Sequence, residues 1–313
     1  TLRCNKPEMA VSVQPGNIWT KEFTIDELTV TTGDPEVIKS KLKYQYKEKS
    51  GGDDTWKDIQ DMKVLFNEHP QNRSYQVRAV YRDVVMTDAI DVELENPVQL
   101  PNSGMEEWHE EDQSDHKNLW FPFSQDLSLQ WITNNLETTN YRGESFCSAS
   151  AVKRSENKYN GNYAALIRTI GHGVANTNVG SFLGMNGSIT GTHTIGILSY
   201  SGDFQVRPTK VKFYYRYIPE GDDVAVSYTQ IENEDQDVIL YEATNVVSKT
   251  EYQLYEIPIN YMVENVVATK LTLTLKSGSK HTNVVKAKVR GNGADEHYGS
   301  ELYIDDISLV YDK

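Results

Sequence analysis

The chain has 313 residues, more than one compact core usually holds, so two domains are expected. Its 31 Lys and Arg residues stand against 45 Asp and Glu, which gives a net charge of −14. This charge excludes a nucleic-acid partner, because phosphate binding needs a basic surface. No apolar run is long enough to span a membrane. Because the sequence opens at Thr1 without Met, we expect that a targeting segment has been removed.

Apolar and polar residues alternate with period 2 in the first part of the chain. The alternation is clear in Lys43–Glu48, Ser74–Arg82 and Asp88–Glu95, and turn residues such as Ser50–Asp54 separate such segments. About seven short strands in this length are typical of an immunoglobulin-like sandwich. We therefore predict an immunoglobulin-like domain over residues 1–97.

An extended connector follows this domain. Pro97 and Pro101 lie close together and favour a domain boundary. The cysteines, Cys4 and Cys147, fall on opposite sides of that boundary, and neither has zinc or redox spacing around it. Free thiols are therefore expected rather than a disulfide.

The motifs of the first domain resemble those of a fibronectin type III domain. They are Trp19, Lys43-Tyr44-Gln45-Tyr46, Trp56-Lys57 and Tyr75-Gln76-Val77-Arg78-Ala79. In that family the late Tyr-x-Val-Arg-Ala strand follows a tyrosine corner, which the resemblance assigns to Tyr75. The resemblance covers residues 1–97 and implies a fold rather than a chemistry.

Strand patterns resume after Gly104 and continue to the end of the chain. They include Val211–Ile218, Val224–Ile231 and Tyr252–Ile259. An all-β domain over residues 98–313 is too long for an immunoglobulin unit and suits a jelly-roll β-sandwich. The predicted fold class is therefore all-β, with an immunoglobulin-like (fibronectin III-like) sandwich followed by a jelly roll.

The last strand carries a slip in its apolar phase. Leu302 and Ile304 share one face by alternation, but Ile307 follows Ile304 after three residues. A β-bulge at Asp305 and Asp306 would absorb the extra residue and turn a carboxylate toward a site. The alternative is that both aspartates lie in water at a frayed strand end.

Acidic residues also mark the start of the second domain. Glu106 and Glu107 follow Gly104, and a hard cation such as Ca²⁺ takes six or more oxygen ligands. Together with Asp305 and Asp306 they could supply the charged part of a structural calcium site. This predicts that the first and last segments of the domain meet.

These bracketing segments resemble the jelly-roll carbohydrate-binding modules, in which similar motifs build a structural calcium site. The matching residues are Asn102-x-Gly104-Met105-Glu106-x-Trp108 and Tyr303-Ile304-Asp305-Asp306-Ile307-x-Leu309. The chain is also similar to the carbohydrate-metabolism domain (PCMD) of gut Bacteroidetes surface proteins. That likeness rests on Arg207-Pro208-Thr209, on Tyr214-Tyr215-Arg216-Tyr217 and on Trp131 ahead of two asparagines, and it spans residues 101–311. Met105 departs from the usual Phe, which should alter packing more than chemistry.

The resemblance implies a role and a location. It implies a secreted or cell-surface bacterial protein, an outer-membrane lipoprotein, whose partners are poly- or oligosaccharides and outer-membrane glycan-utilisation proteins. Structural Ca²⁺ is the cofactor that it implies, and no organic cofactor is expected.

Aromatic side chains supply the candidate sugar contacts. Sugar C–H faces stack on Trp and Tyr rings, while polar side chains bind the hydroxyls. The predicted carbohydrate-binding residues are Trp131, Asn134, Tyr214, Arg216 and Tyr217. For Trp131, core packing fits the sequence as well as sugar contact does.

The leading hypothesis is that the protein binds or helps to process a polysaccharide. One alternative is a glycoside hydrolase, which needs two carboxylates about 5–10 Å apart across a cleft; no spacing in the sequence marks such a pair. The other alternative is an adhesive or structural module without catalysis. The catalytic residues, if the protein is an enzyme, are not identified by the sequence.

Overall fold

The computed structural model describes residues 6–113, 116–124, 131–139, 149–176, 188–279 and 298–313. Within these ranges the chain is almost entirely β-structure, as the sequence predicts, and no helix is long and apolar enough to cross a bilayer. Cys4 and Cys147 lie outside the described residues, so the prediction of free thiols stays a prediction.

The first part of the chain folds around its own hydrophobic core. Its strands are β1 (Glu8–Ala10), β2 (Glu22–Thr24), β3 (Thr29–Thr32), β4 (Leu42–Glu48), β5 (Lys57–Ile59), β6 (Lys63–Leu65), β7 (Ser74–Tyr81), β8 (Val85–Met86) and β9 (Ile90–Glu93). Short helices lie at Pro15–Asn17, Asp53–Thr55 and α1 (Pro35–Lys39).

A five-stranded antiparallel sheet, with β4 and β7 at its centre, faces the smaller β2–β6 and β1–β3 pairs. The outward-and-inward alternation of β7 places Tyr75, Val77 and Ala79 in the core, together with Phe23. The Tyr75 hydroxyl donates to the Asn72 carbonyl at 3.0 Å, which is the hydrogen bond of a tyrosine corner. Membership of the fibronectin type III family stays a prediction.

The second part of the chain is a jelly-roll β-sandwich of two antiparallel sheets. Its strands are β10 (His109–Gln113), β11 (His116–Phe121), β12 (Trp131–Thr133), β13 (Val152–Ser155), β14 (Ala164–Asn176), β15 (Ser188–Thr194), β16 (Ile197–Asp203), β17 (Lys210–Ile218), β18 (Ala225–Glu232), β19 (Val238–Val246), β20 (Lys249–Pro258), β21 (Lys270–Lys276) and β22 (Tyr298–Val310). A short helix, α2 (Asn135–Thr138), follows β12.

One sheet has the order β12-β16-β21-β18-β19, and the other has the order β13-β14-β22-β17-β20 with β15 paired to β14. Alternate residues of β17, β21 and β22 point between the sheets. They form a continuous apolar core that includes Phe213, Tyr215, Leu271, Leu273 and Ile304. We call the opposite, solvent side of the second sheet its outer face.

The predicted bulge in the last strand is confirmed. Ile304 and Ile307 both face the core, although three residues separate them. The register of β17 on β22 shifts where Tyr214 lies opposite Asp305, and Asp306 has a φ of +45°. Alternation after Ile304 points Asp305 to the outer face of the sheet, and the inserted residue returns Ile307 to the core.

The two bracketing segments meet, as the sequence predicts. The Ile307 N–H donates to the Ser103 carbonyl at 2.8 Å, and Gln99 bonds both backbone groups of Leu309 at 2.7 and 2.8 Å. The start and the end of the second domain are therefore joined by hydrogen bonds.

Arg207 joins the two parts of the chain. It is fully buried, and its guanidinium lies 3.7 Å from the centre of the Trp19 ring. Its Nε donates to the Glu95 carboxylate at 2.8 Å, while the other guanidinium nitrogens donate to the carbonyls of Gly16, Ile18, Glu264 and Val266. Separate hydrophobic cores lie on either side of this junction, and the division into two domains near residue 97 stays a prediction.

Candidate functional site

One loop of the second domain, residues 157–163, lies over the outer face beside the bulge. Asp305 holds it from below, because its Oδ2 accepts the backbone N–H groups of Tyr159 at 2.8 Å and of Asn160 at 3.0 Å. Asp306 adds a contact at 3.2 Å, in which the Asn160 side-chain amide donates to its Oδ2. The bulged strand therefore fixes the backbone of this loop.

Glu106 holds the other end of the same loop. Its carboxylate accepts the N–H of Asn162 at 2.8 Å and that of Tyr163 at 3.3 Å. Gly161 has a φ of +61°, and a Cβ added there would lie 1.8 Å from Glu106 Oε1. Only glycine allows so close an approach of backbone to carboxylate. Glu107 is exposed, and among the described residues no hydrogen bond joins its side chain to this loop.

The predicted calcium site can be compared with this arrangement. Glu106, Asp305 and Asp306 converge on one loop and offer the hard oxygen donors that Ca²⁺ takes. Their described contacts, however, are with N–H donors, and no three acidic, His or Cys side chains of the described residues form a group that could hold a metal. The carboxylate oxygens are suitable ligands for Ca²⁺, but in this arrangement they accept N–H groups of the loop. The calcium ion therefore stays a prediction.

Burial raises the pKa of the Asp305 carboxyl above its ordinary value. The backbone N–H groups of Asn160, Tyr159 and Asp306 oppose this rise, because they stabilise the carboxylate form. The side chain is fully buried under the loop. Asp305 is thus an internal support for the loop and is closed to a ligand.

Aromatic and charged side chains alternate along the outer face. Register places Tyr303 of β22 opposite Arg216 of β17, and Tyr252 of β20 lies beside Arg216 across a shift in the β17–β20 register. The next row holds Tyr214, which pairs with Leu254 of β20. Strand alternation points these side chains away from the core, where their neighbours Phe213, Tyr215 and Ile304 lie.

The loop adds a further ring to this face. Tyr159 stacks on Tyr214 with their ring centres 3.5 Å apart and their planes 9° from parallel. The ring of Tyr252 lies 6.2 Å from Tyr159, and its hydroxyl donates to the Asn157 carbonyl at 2.7 Å. Tyr159 remains 48% exposed, so it presents the open ring of the group. We call Tyr159, Tyr214, Arg216, Tyr252 and Tyr303 the aromatic face.

The hydroxyls of Tyr252 and Tyr303 on this face have raised pKa values. Burial raises the pKa of Tyr303 to about 12, with a further contribution from Glu301, which accepts its hydroxyl at 3.1 Å. Burial also raises the pKa of Tyr252 well above its ordinary range. Both tyrosines therefore keep their hydroxyl proton at neutral pH, and each donates it within the protein, Tyr252 to Asn157 and Tyr303 to Glu301.

The structure brings together only part of the predicted sugar-binding set. Tyr214 and Arg216 lie on the aromatic face. Trp131 is 1% exposed and donates from its indole N–H to the Pro101 carbonyl at 2.7 Å, and Tyr217 is fully buried in the core. Asn134 bonds the backbone of Ile195 and Ile197. Trp131, Asn134 and Tyr217 thus serve the packing of the sandwich, away from Tyr214 and Arg216.

The sequence interpretation missed Tyr159, Tyr252 and Tyr303. Tyr303 could have been identified from the sequence. It alternates with the apolar residues Leu302 and Ile304, so its side chain must point outward. The Asn160-Gly161 pair signals the turn that carries Tyr159. Its contact with Tyr214 depends on a pairing across the fold that local patterns do not encode.

No family model matches the chain, and no curated protein matches it. A structure solved in a study of the promiscuous specificity of carbohydrate-binding modules of the β-sandwich superfamily is 11% identical, with a TM-score of 0.32 over 98% of both chains.

Two other similar structures cover a little over half of this chain. The module TmCBM61, solved with β-1,4-galactotriose, is 11% identical, with a TM-score of 0.28 over 58% of this chain and 88% of that one. A family 11 carbohydrate-binding module from Clostridium thermocellum, solved with a β-1,3-1,4-mixed-linked tetrasaccharide, is 9% identical, with a TM-score of 0.28 over 60% and 92%. A likeness at this level is too weak to assign a ligand or an activity to this chain.

Proposed function

We propose that the aromatic face binds a poly- or oligosaccharide. The observation that carries the proposal is the stacked pair Tyr159 and Tyr214, with Tyr252 beside it, on an open sheet face. Sugar rings stack their C–H surfaces on exposed aromatic rings. The guanidinium of Arg216 supplies donors for sugar oxygens. The hydroxyl oxygens of Tyr252 and Tyr303, whose protons are donated to Asn157 and Glu301, can accept from sugar hydroxyls.

Binding is favoured over hydrolysis by the state of the carboxylates on this face. Hydrolysis by the usual route needs two accessible carboxylates across the scissile bond. Asp305 is buried beneath the loop and accepts backbone N–H groups, which closes it to substrate. Glu301 and Asp306, the partly exposed carboxylates of the same strand, accept the Tyr303 hydroxyl and the Asn160 amide, so we infer a binding module rather than a hydrolase.

Retention on glycans tests this proposal directly. Affinity gel electrophoresis with a panel of soluble polysaccharides should slow the wild-type protein on at least one of them. Tyr159→Ala should abolish or weaken that retention. Tyr241→Ala is the matched control, since Tyr241 lies on the opposite sheet and is similarly exposed, at 52%. Equal retention of both variants and the wild-type protein would show that the glycan binds outside the aromatic face.

The setting of this function is also a proposal. The sequence likeness to the PCMD of gut Bacteroidetes surface proteins supports secretion or display on the cell surface by a lipid anchor. Outer-membrane glycan-utilisation proteins are the partners that such a setting implies. Fractionation of the native host cells, with detection by antibody, tests the location.

A further inference from the structure

Arg216 is a cation without an anionic partner on the aromatic face. Its guanidinium lies 5.3 Å from the centre of the Tyr303 ring, and the side chain is half-buried. Within the described ranges it forms no salt bridge or hydrogen bond, and its Nε is buried without an acceptor. A buried donor left unpaired costs free energy unless a water or a ligand satisfies it.

The nearby carboxylates are committed to other donors. Glu301 accepts the Tyr303 hydroxyl at 3.1 Å. Asp305 accepts the backbone N–H groups of Tyr159 and Asn160 and is fully buried. Acidic groups of β22 therefore lie close to Arg216 but do not engage its guanidinium.

A second cation lies on the same face. Arg168 of β14 is in register with Glu301, and Arg168 and Arg216 both act electrostatically on the Tyr303 phenol. The chain as a whole carries a net charge of −14. Arg168 is itself buried and has a partner of its own, and Glu301 also acts on the Tyr303 ring. Within the described residues, Arg216 is therefore the guanidinium of this face that stays open to an anion.

We propose that the aromatic face selects an acidic glycan, and that Arg216 binds the carboxylate or sulfate group of one sugar unit. This inference rests on the carbohydrate-binding function proposed above and adds the class of glycan. The planar guanidinium can bind two oxygens of such a group at once, while Tyr159 and Tyr214 stack on a neighbouring ring of the chain.

The test uses pairs of polysaccharides that differ only in charge. Polygalacturonic acid is compared with its carboxyl-reduced form, and chondroitin sulfate with chemically desulfated chondroitin, by calorimetric titration at low and high salt. The wild-type protein should bind one acidic member at least about tenfold more tightly than its neutral counterpart, and added salt should weaken this binding. The pair that shows the preference distinguishes a carboxylate from a sulfate.

Variants then assign the preference to Arg216. Arg216→Gln should lose about tenfold in affinity for the acidic glycan and little for the neutral one, whereas Arg216→Lys should keep part of the preference. Lys276→Gln is the matched control, because Lys276 lies 4.9 Å from the Tyr228 ring on the opposite sheet. Circular dichroism confirms that each variant is folded.

The outcomes separate this inference from the proposed function. Equal affinity for acidic and neutral members, still weakened by Tyr159→Ala, would overturn acid selection and leave glycan binding standing. An acid preference that survives in Arg216→Gln would overturn the role of Arg216. If the folded protein binds no glycan at all, both proposals are wrong.

Discussion

Tyr159 lies flat on Tyr214, with ring centres 3.5 Å apart, although 55 positions separate them in the sequence. The contact exists because carboxylates of two other segments hold the loop of Tyr159 against the sheet. The position of the open ring thus depends on residues that never touch a ligand at this face.

Removal of the exposed ring should weaken glycan binding. We expect Tyr159→Ala to lower affinity by about three- to tenfold, since an aromatic contact contributes roughly 0.5–1.5 kcal/mol. Tyr159→Phe keeps the ring and should bind nearly as well as wild type. Calorimetric titration measures both, and a Phe variant as weak as the Ala variant would assign the effect to the hydroxyl instead.

Loss of the support beneath the loop should weaken binding at a distance. Asp305→Ala leaves the backbone N–H groups of Tyr159, Asn160 and Asp306 without their acceptor, and we expect a cost of roughly 1–3 kcal/mol of unfolding free energy for each N–H that stays unpaired. Glycan affinity should fall with it, because Tyr159 loses its fixed position. Urea denaturation measures the loss of stability and calorimetric titration the loss of affinity, with Asp203→Ala at an exposed position as the control. Full affinity in Asp305→Ala would show that the loop needs no such support.

The raised pKa of Asp305 predicts a pH dependence of stability. Between its ordinary pKa, about 3.9, and its higher folded value, the folded protein keeps a proton that the unfolded chain has lost. The stability that this proton contributes is full below the ordinary pKa and is lost as pH rises through the folded pKa. Asp305→Asn cannot titrate, so the difference in unfolding free energy between variant and wild type should change across that window. A constant difference from pH 4 to 7, measured by urea denaturation, would contradict this prediction.

Chelation tests the predicted calcium ion. If Ca²⁺ binds beside Glu106 and Asp305, excess EDTA should lower the melting temperature by several degrees, about 2–4 °C for each kcal/mol lost in a protein of this size class. Glu106→Gln should then show a smaller response to EDTA than wild type. An unchanged wild-type melting curve would contradict the calcium prediction and would show that hydrogen bonds alone hold the loop.

Replacement of Arg207 should uncouple the two domains. Arg207→Met leaves the Glu95 carboxylate buried without its partner, which typically costs about 3–5 kcal/mol. We expect calorimetric melting to separate into two transitions. Arg78→Met is a suitable control, since Arg78 stacks on Trp56 within the first domain alone. A single transition at the wild-type temperature in Arg207→Met would show that the Arg207 contacts contribute little to the free energy of unfolding.

Local patterns predicted much of the fold, because strand alternation and the phase of the apolar residues are local properties. The bulge at Asp305 and Asp306 could be located from the spacing of Ile304 and Ile307 alone. Tyr214 was placed on the candidate site for the same reason, since it alternates with buried neighbours on β17.

The rest of the site depends on contacts between distant segments. A tryptophan at position 131 fits both core packing and sugar contact. The pairing of β12 with β16 decides between them, because it buries the Trp131 indole against Tyr200. The loop around Asn160 has no periodic pattern, so its approach to Asp305 follows from the assembled sandwich. Sequence reasoning therefore found the sheet of the site and missed the loop above it.

The buried junction at Arg207 has a consequence for how the aromatic face meets a polymer. Because the guanidinium bonds residues on both sides of the predicted boundary at residue 97, we expect the aromatic face to keep a constant angle to the first domain. A long glycan that touches both domains would then lose little orientational freedom of the protein on docking. In such an arrangement the constant orientation of the first domain would set the direction in which a polysaccharide chain can run across the molecule.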